Sequence, residues 1–337
     1  MKVIVSGEVI SAVSETADVW KLHELLVLAC KGRHAVFVDP PTSLTAWLAT
    51  IDASSRLAYT SAIELCARQA TTFPADAATI HIMQSGTAVW ADPVATLTLD
   101  DALKALTEPL GVFVENSAND WYFLCKIMRR SERERIERAA KEGWICALHG
   151  GGSTLVAQVE LRVMNPAKGL RTFVFFDSDR LHPDECAAGW TPVRPGRRPA
   201  GCQAFGWEQI FREKLPLRYW MLKRRFIESY MPQSELDKAA SPNVHAGAVE
   251  AFTRISKVGR WYFNMKDGFA GDEKRDDKER CRDLFDQISP ADRAALKCGF
   301  GSQLANHYSI VSATEFNWDD DAREEAEQAL PKLMRLL

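Results

Sequence analysis

The order of apolar and polar residues along the chain predicts three regions. Up to about residue 105, runs such as KVIVSGEVI and HAVFVD are strand-like, and VWKLHELLVLAC has helical spacing. The next region alternates strand, helix, strand, helix, strand, which favours a parallel sheet with right-handed crossovers. The last region is mostly helical. We therefore predict an α/β protein with a small N-terminal α/β domain (1–105), a second α/β domain (106–235) and a helical region (236–337) that completes or covers it.

Two helix predictions are more specific. The stretch NDWYFLCKIMRRSERERIERAAKEG, residues 119–143, is predicted as a helix whose apolar residues give way to a charged face. Its arginines alternate with glutamates, which favours an ordinary salt-bridged surface. The stretch DDAREEAEQALPKLMRLL is predicted as a terminal helix broken at Pro331.

The most apolar strand, in RTFVFFDSDR, ends on two acids. Residues 173–176 are all large and apolar, so both faces of this strand should be covered, as in a parallel sheet under helices. Asp177 and Asp179 follow at the carboxyl edge, where α/β proteins bind ligands. Two carboxylates there repel each other unless a proton or a cation lies between them. An Asp-rich turn without chemistry is the plain alternative.

Two further features are predicted at the same edge. Glu115 ends the strand in LGVFVEN, and residues 150–152 form a glycine turn in HGGGSTLV. Sparse carboxylates at strand ends suit Mg²⁺ or Mn²⁺, and such cations polarise the attacking and leaving oxygens in phosphodiester cleavage. A glycine turn lets the main chain approach a phosphate closely. The three features together predict metal-dependent chemistry on a phosphate.

These motifs resemble the TOPRIM domain, and within it the OLD-type nucleases. VFVENSANDWYFL is similar to the opening motif of that family, HGGGSTLV to its glycine turn and VFFDSDR to its DxD. Further along, MLKRRFIESYMP resembles an Arg-x-Ile-Glu-Asn-Tyr-Leu segment, with Ser229 in place of Asn, and YFNMKDGF resembles a lysine motif. The resemblance covers about residues 105–270 and implies a TOPRIM-like parallel sheet flanked by helices.

The resemblance also implies roles for individual residues. The catalytic residues would be Glu115, Asp177, Asp179, Glu228 and Lys266. The metal ligands would be Glu115, Asp177, Asp179 and Asp120. Phosphate or nucleic acid would be bound by Gly151, Gly152, Ser153, Arg180, Arg224 and Arg225. Asp120 follows Glu115 by five residues where the family has four, and Asn116 replaces the usual Gly, so the metal role of Asp120 is the least secure.

The function implied is that of a Mg²⁺- or Mn²⁺-dependent endonuclease acting on DNA or RNA, as an effector of prokaryotic anti-phage defence. The chain has no Gly-x-x-x-x-Gly-Lys-Ser/Thr motif, so an ATPase would be a separately encoded partner. A homodimer is left open. The alternatives are a catalytically degenerate TOPRIM module that binds nucleic acid or the ATPase, and glycosyltransferase or phosphatase chemistry at the DxD.

Charge and composition further limit where a nucleic-acid-binding surface and the protein itself are expected. The net charge of -3 does not indicate a general nucleic-acid binder, so a basic surface must be local. Residues 194–225 supply one candidate, with nine Lys or Arg and interleaved aromatic residues. No convincing signal peptide or membrane span is found, and the eight cysteines form no CxxC pair. We therefore expect a cytoplasmic protein without a membrane partner.

Overall fold

The computed structural model describes most of the 337 residues. The described ranges are 1–70, 73, 76–187, 189–191, 203–240, 244–275, 278–313 and 316–337, without the side chains of 278, 279 and 282. The predicted α/β class is confirmed, because two four-stranded parallel sheets are flanked by helices.

The first sheet lies in the N-terminal region. Its strands are β1 (Lys2–Ser6), β2 (Ala35–Asp39), β3 (Thr79–Ile82) and β4 (Val94–Leu97). Its helices are α1 (Gly7–Ser14), α2 (Trp20–Cys30), α3 (Pro41–Leu48), α4 (Ala53–Gln69) and α5 (Leu99–Thr107). The strand order is β2-β1-β3-β4, and all three pairings are parallel.

The second sheet repeats this arrangement. Its strands are β5 (Leu110–Val114), β6 (Ile145–His149), β7 (Thr172–Phe176) and β8 (Tyr219–Met221). Its helices are α6 (Asn119–Ile127), α7 (Arg130–Lys141), α8 (Leu155–Val163), α9 (Pro166–Leu170) and α10 (Gln203–Lys214). The order is β6-β5-β7-β8, again all parallel. Strands β5 and β7 therefore lie at the centre.

The apolar strand β7 is covered on both faces, as its sequence predicts. Phe173 and Phe175 belong to the main hydrophobic core, which also contains buried residues of the first sheet. Val174 and Phe176 belong to a second core formed with α8 and α10. All five residues of β7 are buried. The two sheets thus share one core, and the acids that follow β7 emerge at a well-packed edge.

The rest of the chain is helical, as predicted. A 3-10 turn at Ile227–Tyr230 is followed by α11 (Gln233–Ala239), α12 (Ala248–Arg254), α13 (Lys257–Tyr262), α14 (Gly268–Glu273), α15 (Pro290–Ala295), α16 (His307–Ile310) and α17 (Asp320–Met334). An aromatic cluster joins this region to the second sheet, since Phe123 of α6 packs against Phe175, Tyr230, Tyr308 and Trp318. Among the described residues, no helix is long and apolar enough to cross a membrane.

Three details of the predicted elements are wrong. The strand-like run KVIVSGEVI stops at Ser6, whose Oγ accepts a hydrogen bond from the Glu8 N–H and begins α1. The helix predicted over 119–143 is two helices, because the Glu132 carboxylate accepts the Arg129 N–H and begins α7 anew. Helix α17 continues through Pro331 to Met334, because a proline there removes one hydrogen bond only a turn before the helix ends.

Candidate functional site at the carboxyl edge of the second sheet

Two of the predicted acids meet at the carboxyl edge of the central strands. Glu115 directly follows β5, and Asp177 directly follows β7. The Asp177 N–H donates to Glu115 Oε1 at 3.1 Å, although the two residues are 62 apart in sequence. Parallel pairing of β5 with β7 therefore brings together the ends of two strands that the sequence separates by two helical crossovers.

The turn after β7 is held by the segment that follows β8. Asp177 Oδ1 accepts the Ile227 N–H at 3.0 Å, and the buried Ser178 Oγ donates to the Arg224 carbonyl at 2.8 Å. Asp179 has a left-handed backbone with φ of 52°, a conformation that Asp tolerates better than most residues. Its N–H donates to the Arg225 carbonyl at 3.1 Å. The DxD turn is thus fixed by the main chain of the predicted RRFIESY motif.

Asp120 lies beside this turn, at the start of α6. Its Oδ2 accepts the Asn116 N–H at 2.8 Å, and the side chain is buried. Asn116 Oδ1 in turn accepts the N–H groups of Ala118 and Asn119, at 3.0 and 3.2 Å. Asn116 therefore orders the loop that carries Asp120. The longer spacing between Glu115 and Asp120 does not take Asp120 away from the site.

Glu228 and Lys266 complete the cluster from the helical region. Glu228 is only 1% exposed, and its Oε1 lies 3.2 Å from Lys266 Nζ. Its Oε2 is buried without a hydrogen-bond partner among the described residues. Lys266 Nζ also lies 4.9 Å from the centre of the Phe226 ring. A buried carboxylate oxygen without a partner is costly, so this oxygen is suited to a ligand with positive charge or a proton to donate.

The acids of this cluster raise one another's pKa values. Burial, followed by the charges of Asp179 and Asp120, raises the pKa of Glu115 to about 8. Burial and the charge of Glu228 raise the pKa of Asp120 to about 6. The pKa of Asp177 lies well above its usual range because the group is buried next to Glu115. Crowded carboxylates with this pattern of shifts bind a proton or a cation strongly.

Lys266 shows the complementary effect. Burial acts to lower its pKa, but the nearby Glu228 and Asp177 outweigh burial and raise it above its ordinary value. The ammonium group therefore stays charged at any physiological pH. A lysine held in this way among acids can neutralise part of their charge and can also face an anionic substrate.

The donor set fits a hard divalent cation in its chemistry. Glu115, Asp120 and Asp177 each use one carboxylate oxygen to accept a main-chain N–H, and Glu228 Oε2 has no partner. Within the described ranges, no three His, Cys, Asp or Glu side chains already surround a common point. Holding one ion with three of these acids therefore requires rotation of side chains whose main chain is already in place.

The predicted glycine turn lies at the same edge. The Gly150 N–H donates to the Val114 carbonyl at 2.7 Å, directly before Glu115. Gly151 and Gly152 have left-handed backbones with φ of 63° and 51°, which the absence of a side chain permits. Ser153 is exposed in the 3-10 turn that follows. Main chain and hydroxyl are thus accessible next to the acids, as a phosphate would require.

The prediction that Arg224 and Arg225 contact nucleic acid does not fit their placement. Both guanidinium groups are buried and paired internally, Arg224 with Asp319 at 2.5 Å and Arg225 with Asp272 at 2.6 Å. Their charge holds the helical region to the sheet instead. Arg180 is half-buried, and its Nη2 lies 3.5 Å from Glu208 Oε2.

The remaining basic residues of 194–225 give little support to a basic surface. Arg212, Lys214 and Arg218 form ion pairs with acids of the same chain, and Lys223 is exposed with its Nζ 3.4 Å from Gln328 Oε1. Arg194, Arg197 and Arg198 lie outside the described residues.

Sequence reasoning missed residues that hold the site from the helical region. Asp272 binds Arg225, and Asn264 Nδ2 donates to the same carboxylate at 3.2 Å. The Tyr308 hydroxyl donates to the Ile227 carbonyl at 2.9 Å, next to Glu228. Neither Asp272 nor Tyr308 stands at a strand end or in a spaced motif, so no signal in the sequence distinguishes them from other polar residues of short helices.

Comparison with known proteins adds no assignment to this geometry. No family model matches the chain, and no curated protein or solved structure matches it either. The function is therefore inferred from the side chains at this edge.

Proposed function

We propose that this chain is a divalent-metal-dependent nuclease with a TOPRIM-like site of the OLD type. The observation that supports it most is the meeting of acids from three separate parts of the chain at one sheet edge, next to a charged lysine from a fourth. These residues are Glu115, Asp120, Asp177, Asp179 and Glu228, with Lys266. Their closeness could not arise from one local acidic turn, because they follow different strands and helices.

The acids and the lysine have separable roles in this proposal. Glu115, Asp120 and Asp177 would hold the cation, because each has a carboxylate oriented by a main-chain N–H. When bound, Mg²⁺ or Mn²⁺ supplies the positive charge that polarises the phosphate. Glu228 Oε2 would orient the attacking water or accept its proton, because this oxygen is buried and has no other partner in the described chain.

Lys266 and the glycine turn would bind the substrate phosphate. The ammonium group stays charged, and 36% of its side chain is exposed, so it can reach an anion at the surface of the site. The residues of the turn, Gly151 and Gly152, leave room for a phosphate oxygen to approach main-chain N–H groups. An anion held between these groups would lie at the same edge as the acids.

The biological setting proposed is that of the resemblance: a prokaryotic anti-phage effector whose nucleic-acid cleavage is controlled by a separately encoded ATPase. The competing proposal is a TOPRIM module that binds nucleic acid without cutting it. It is favoured by one observation, that no three acids of the described chain yet surround a common point. The two proposals differ in a single assay, since only the first predicts strand breaks.

The assay is incubation of the full chain with supercoiled plasmid, linear DNA and tRNA, each with Mg²⁺, Mn²⁺ or EDTA. We expect cleavage of at least one substrate with a divalent cation, none with EDTA, and none from an Asp177→Asn variant purified in parallel. Cleavage in EDTA, or equal cleavage by Asp177→Asn, would refute the metal site. Metal-dependent binding without strand breaks would support the non-catalytic module.

A further inference from the structure

A cavity at the opposite edge of the two sheets is lined by arginines that the proposed nuclease site does not use. Met1 directly precedes β1, Arg33 lies just before β2, and Trp144 directly precedes β6, and all three line the cavity. These are amino ends of strands, so the length of a strand separates this cavity from the acids. Its volume of about 670 Å³ lies within the range of roughly 300–1,000 Å³ typical of small-molecule sites.

Positive charge outweighs negative charge around this cavity. Its basic lining residues are Lys31, Arg33, Arg135, Arg138 and Arg335. Its acidic lining residue is Glu132, whose Oε2 already accepts the Arg129 N–H at 3.0 Å. Arg135 and Arg138 form no ion pair within the described part of the chain, although their sequence context predicts a salt-bridged helix face. This half of α7 therefore presents guanidinium groups to the cavity without partners.

Single guanidinium nitrogens of arginines at and behind the lining also lack hydrogen-bond partners, although Arg33 Nη2 donates to the Thr107 and Glu108 carbonyls. Arg335 is 7% exposed and its guanidinium binds Asp92, but its Nε has no hydrogen-bond partner. Arg33 Nε and Arg171 Nη2 are also buried without a partner among the described residues. Arg171 donates to the Glu108 and Leu336 carbonyls, so its charge is met by main chain. Burial and the neighbouring Arg33 lower its pKa to about 9. Buried cations with this deficit of counter-charge are stabilised by an added anion.

The cavity also has an apolar and partly aromatic lining. It is formed by Phe73, Ala139, Trp144, Pro331, Met334 and Leu337. Trp144 and Phe73 are partly buried against the main core, so their remaining surface faces outward. Guanidinium groups bind phosphate oxygens in a planar, bidentate geometry, and aromatic faces stack on bases. The lining therefore combines groups that suit a phosphate with groups that suit a heterocyclic base.

We propose that this cavity binds a nucleotide, with its phosphates on Arg135, Arg138 and Arg33 and its base against Trp144. The site is distinct from the nuclease site and does not depend on it. Because the cavity is bounded by α7, by the end of α17 and by strand starts of both sheets, a ligand there contacts both sheet regions and the last helix. Occupancy should accordingly stabilise the whole chain against unfolding.

The test is calorimetric titration of the full chain in EDTA, which removes any contribution of divalent metal. The probes are ATP, AMP, pyrophosphate and a short single-stranded oligonucleotide. We expect a nucleotide to bind, and the Arg135→Gln/Arg138→Gln double variant to weaken it roughly tenfold or more, since hydrogen bonds to charged groups are strong. The matched control is Arg130→Gln/Arg133→Gln, which removes the same charge from the same helix outside this cavity. It should bind as the unaltered chain does.

A Trp144→Leu variant tests the assignment of the base. This variant should bind the nucleotide several-fold more weakly and bind pyrophosphate as tightly as the unaltered chain does. Pyrophosphate binding as tightly as any nucleotide would overturn the nucleotide assignment. No binding, or equal affinity in the Arg135→Gln/Arg138→Gln variant, would overturn the site. If both double variants bound the oligonucleotide more weakly to the same extent, α7 would instead carry a nucleic-acid-binding surface along its length. Because the titrations contain no metal, an inactive nuclease would not affect these outcomes.

Discussion

The two sheets of this protein have the same strand order and the same parallel pairing, yet their carboxyl edges differ in kind. In the first sheet, polar residues at this edge begin helices. Ser6 accepts the Glu8 N–H at the start of α1, and Thr98 accepts the Asp101 N–H at the start of α5. Asp39, which ends β2, is exposed and precedes Pro40. Ser6 and Thr98 therefore have local structural uses, and Asp39 faces solvent.

In the second sheet the polar residues at this edge face one another. Glu115 and Asp177 follow the two central strands, and Glu228 and Lys266 are added from the helical region. Their hydrogen bonds come from main chain distant in sequence, and their pKa values shift because they are buried together. An acid after a strand is therefore weak evidence of a site. Acids after neighbouring central strands, covered by a third segment, are much stronger evidence.

The largest effect is expected when substitutions of Asp177 and Asp39 are compared, because both aspartates lie at the carboxyl end of a strand. Asp177→Asn should lower metal-dependent cleavage by roughly a thousandfold or more, because several kcal/mol of charge stabilisation depend on the cation it would hold. Asp39→Asn should cleave at the normal rate. The measurement is the initial rate of nicking with Mg²⁺ or Mn²⁺ on the preferred substrate.

Stability is the control for this pair. Asn resembles the protonated form of Asp177, whose pKa is raised, so Asp177→Asn should be at least as stable as the unaltered chain without metal. A large loss of activity in Asp39→Asn would abolish the contrast between the sheets. If the Asp177→Asn protein is unfolded, we would conclude that Asp177 has a structural role instead.

The second effect concerns the way in which the edge is held together. Arg225→Met should lower the free energy of unfolding by about 3–5 kcal/mol, because it leaves Asp272 as a buried charge without its ion-pair partner. Arg212→Met is the control, since the Arg212 side chain is exposed and its ion pair with Glu208 should be worth roughly 1 kcal/mol or less. Urea unfolding of both variants gives the comparison. If Arg225 bound nucleic acid instead, Arg225→Met would keep its stability and flatten the salt dependence of binding.

Arg225 illustrates which features of the structure can be predicted from the sequence and which cannot. The α/β class and the burial of both faces of the strand in RTFVFFDSDR follow from the local pattern, because a wholly apolar strand is stable only when both of its faces are covered. The meeting of Glu115 with Asp177 follows from the parallel order of the strands. The burial of Arg225 does not follow, because it depends on Asp272 in a short helix far along the chain. A basic run read along the sequence resembles a phosphate-binding surface until its partners are known.

Glu228 tests the contribution of the helical region to the chemistry. Glu228→Gln should lower turnover by roughly 10–100-fold and leave stability nearly intact, because Gln keeps the shape but cannot accept a proton from water. Glu235 is the matched control, another buried glutamate that pairs with His307 at 2.9 Å and Lys238 at 3.0 Å. Glu235→Gln should lower stability and keep normal turnover. A fully active Glu228→Gln protein would confine the chemistry to the acids that follow the strands.

The smallest expected effect is a pH dependence of metal stabilisation. The pKa of Glu115 rises from 4.5 to about 8 in the folded chain, and that of Asp120 from 3.8 to about 6. At pH values between the ordinary pKa and the raised pKa of each acid, the folded state holds a proton that the unfolded state has lost. The free energy of unfolding therefore falls as the pH rises from about 4 to about 8. A divalent cation that replaces these protons should raise the free energy of unfolding most at the pH values at which the acids have lost them. We therefore expect Mn²⁺ to raise Tm more near pH 8.5 than near pH 5, by roughly 2–4 °C for each kcal/mol of difference.

We expect this pH dependence of Mn²⁺ stabilisation from the crowded acids of the second sheet and not from Asp39, which is exposed. Asp39→Asn should therefore keep the full difference between the two pH values. Asp177→Asn should reduce it, because the variant removes a carboxylate whose oxygens would hold the cation. The measurement is thermal unfolding of the three proteins with Mn²⁺ and with EDTA at both pH values. An equal Mn²⁺ effect at both pH values in the unaltered chain would mean that the cation binds elsewhere, and that the crowded acids of the second sheet retain their protons without becoming metal ligands.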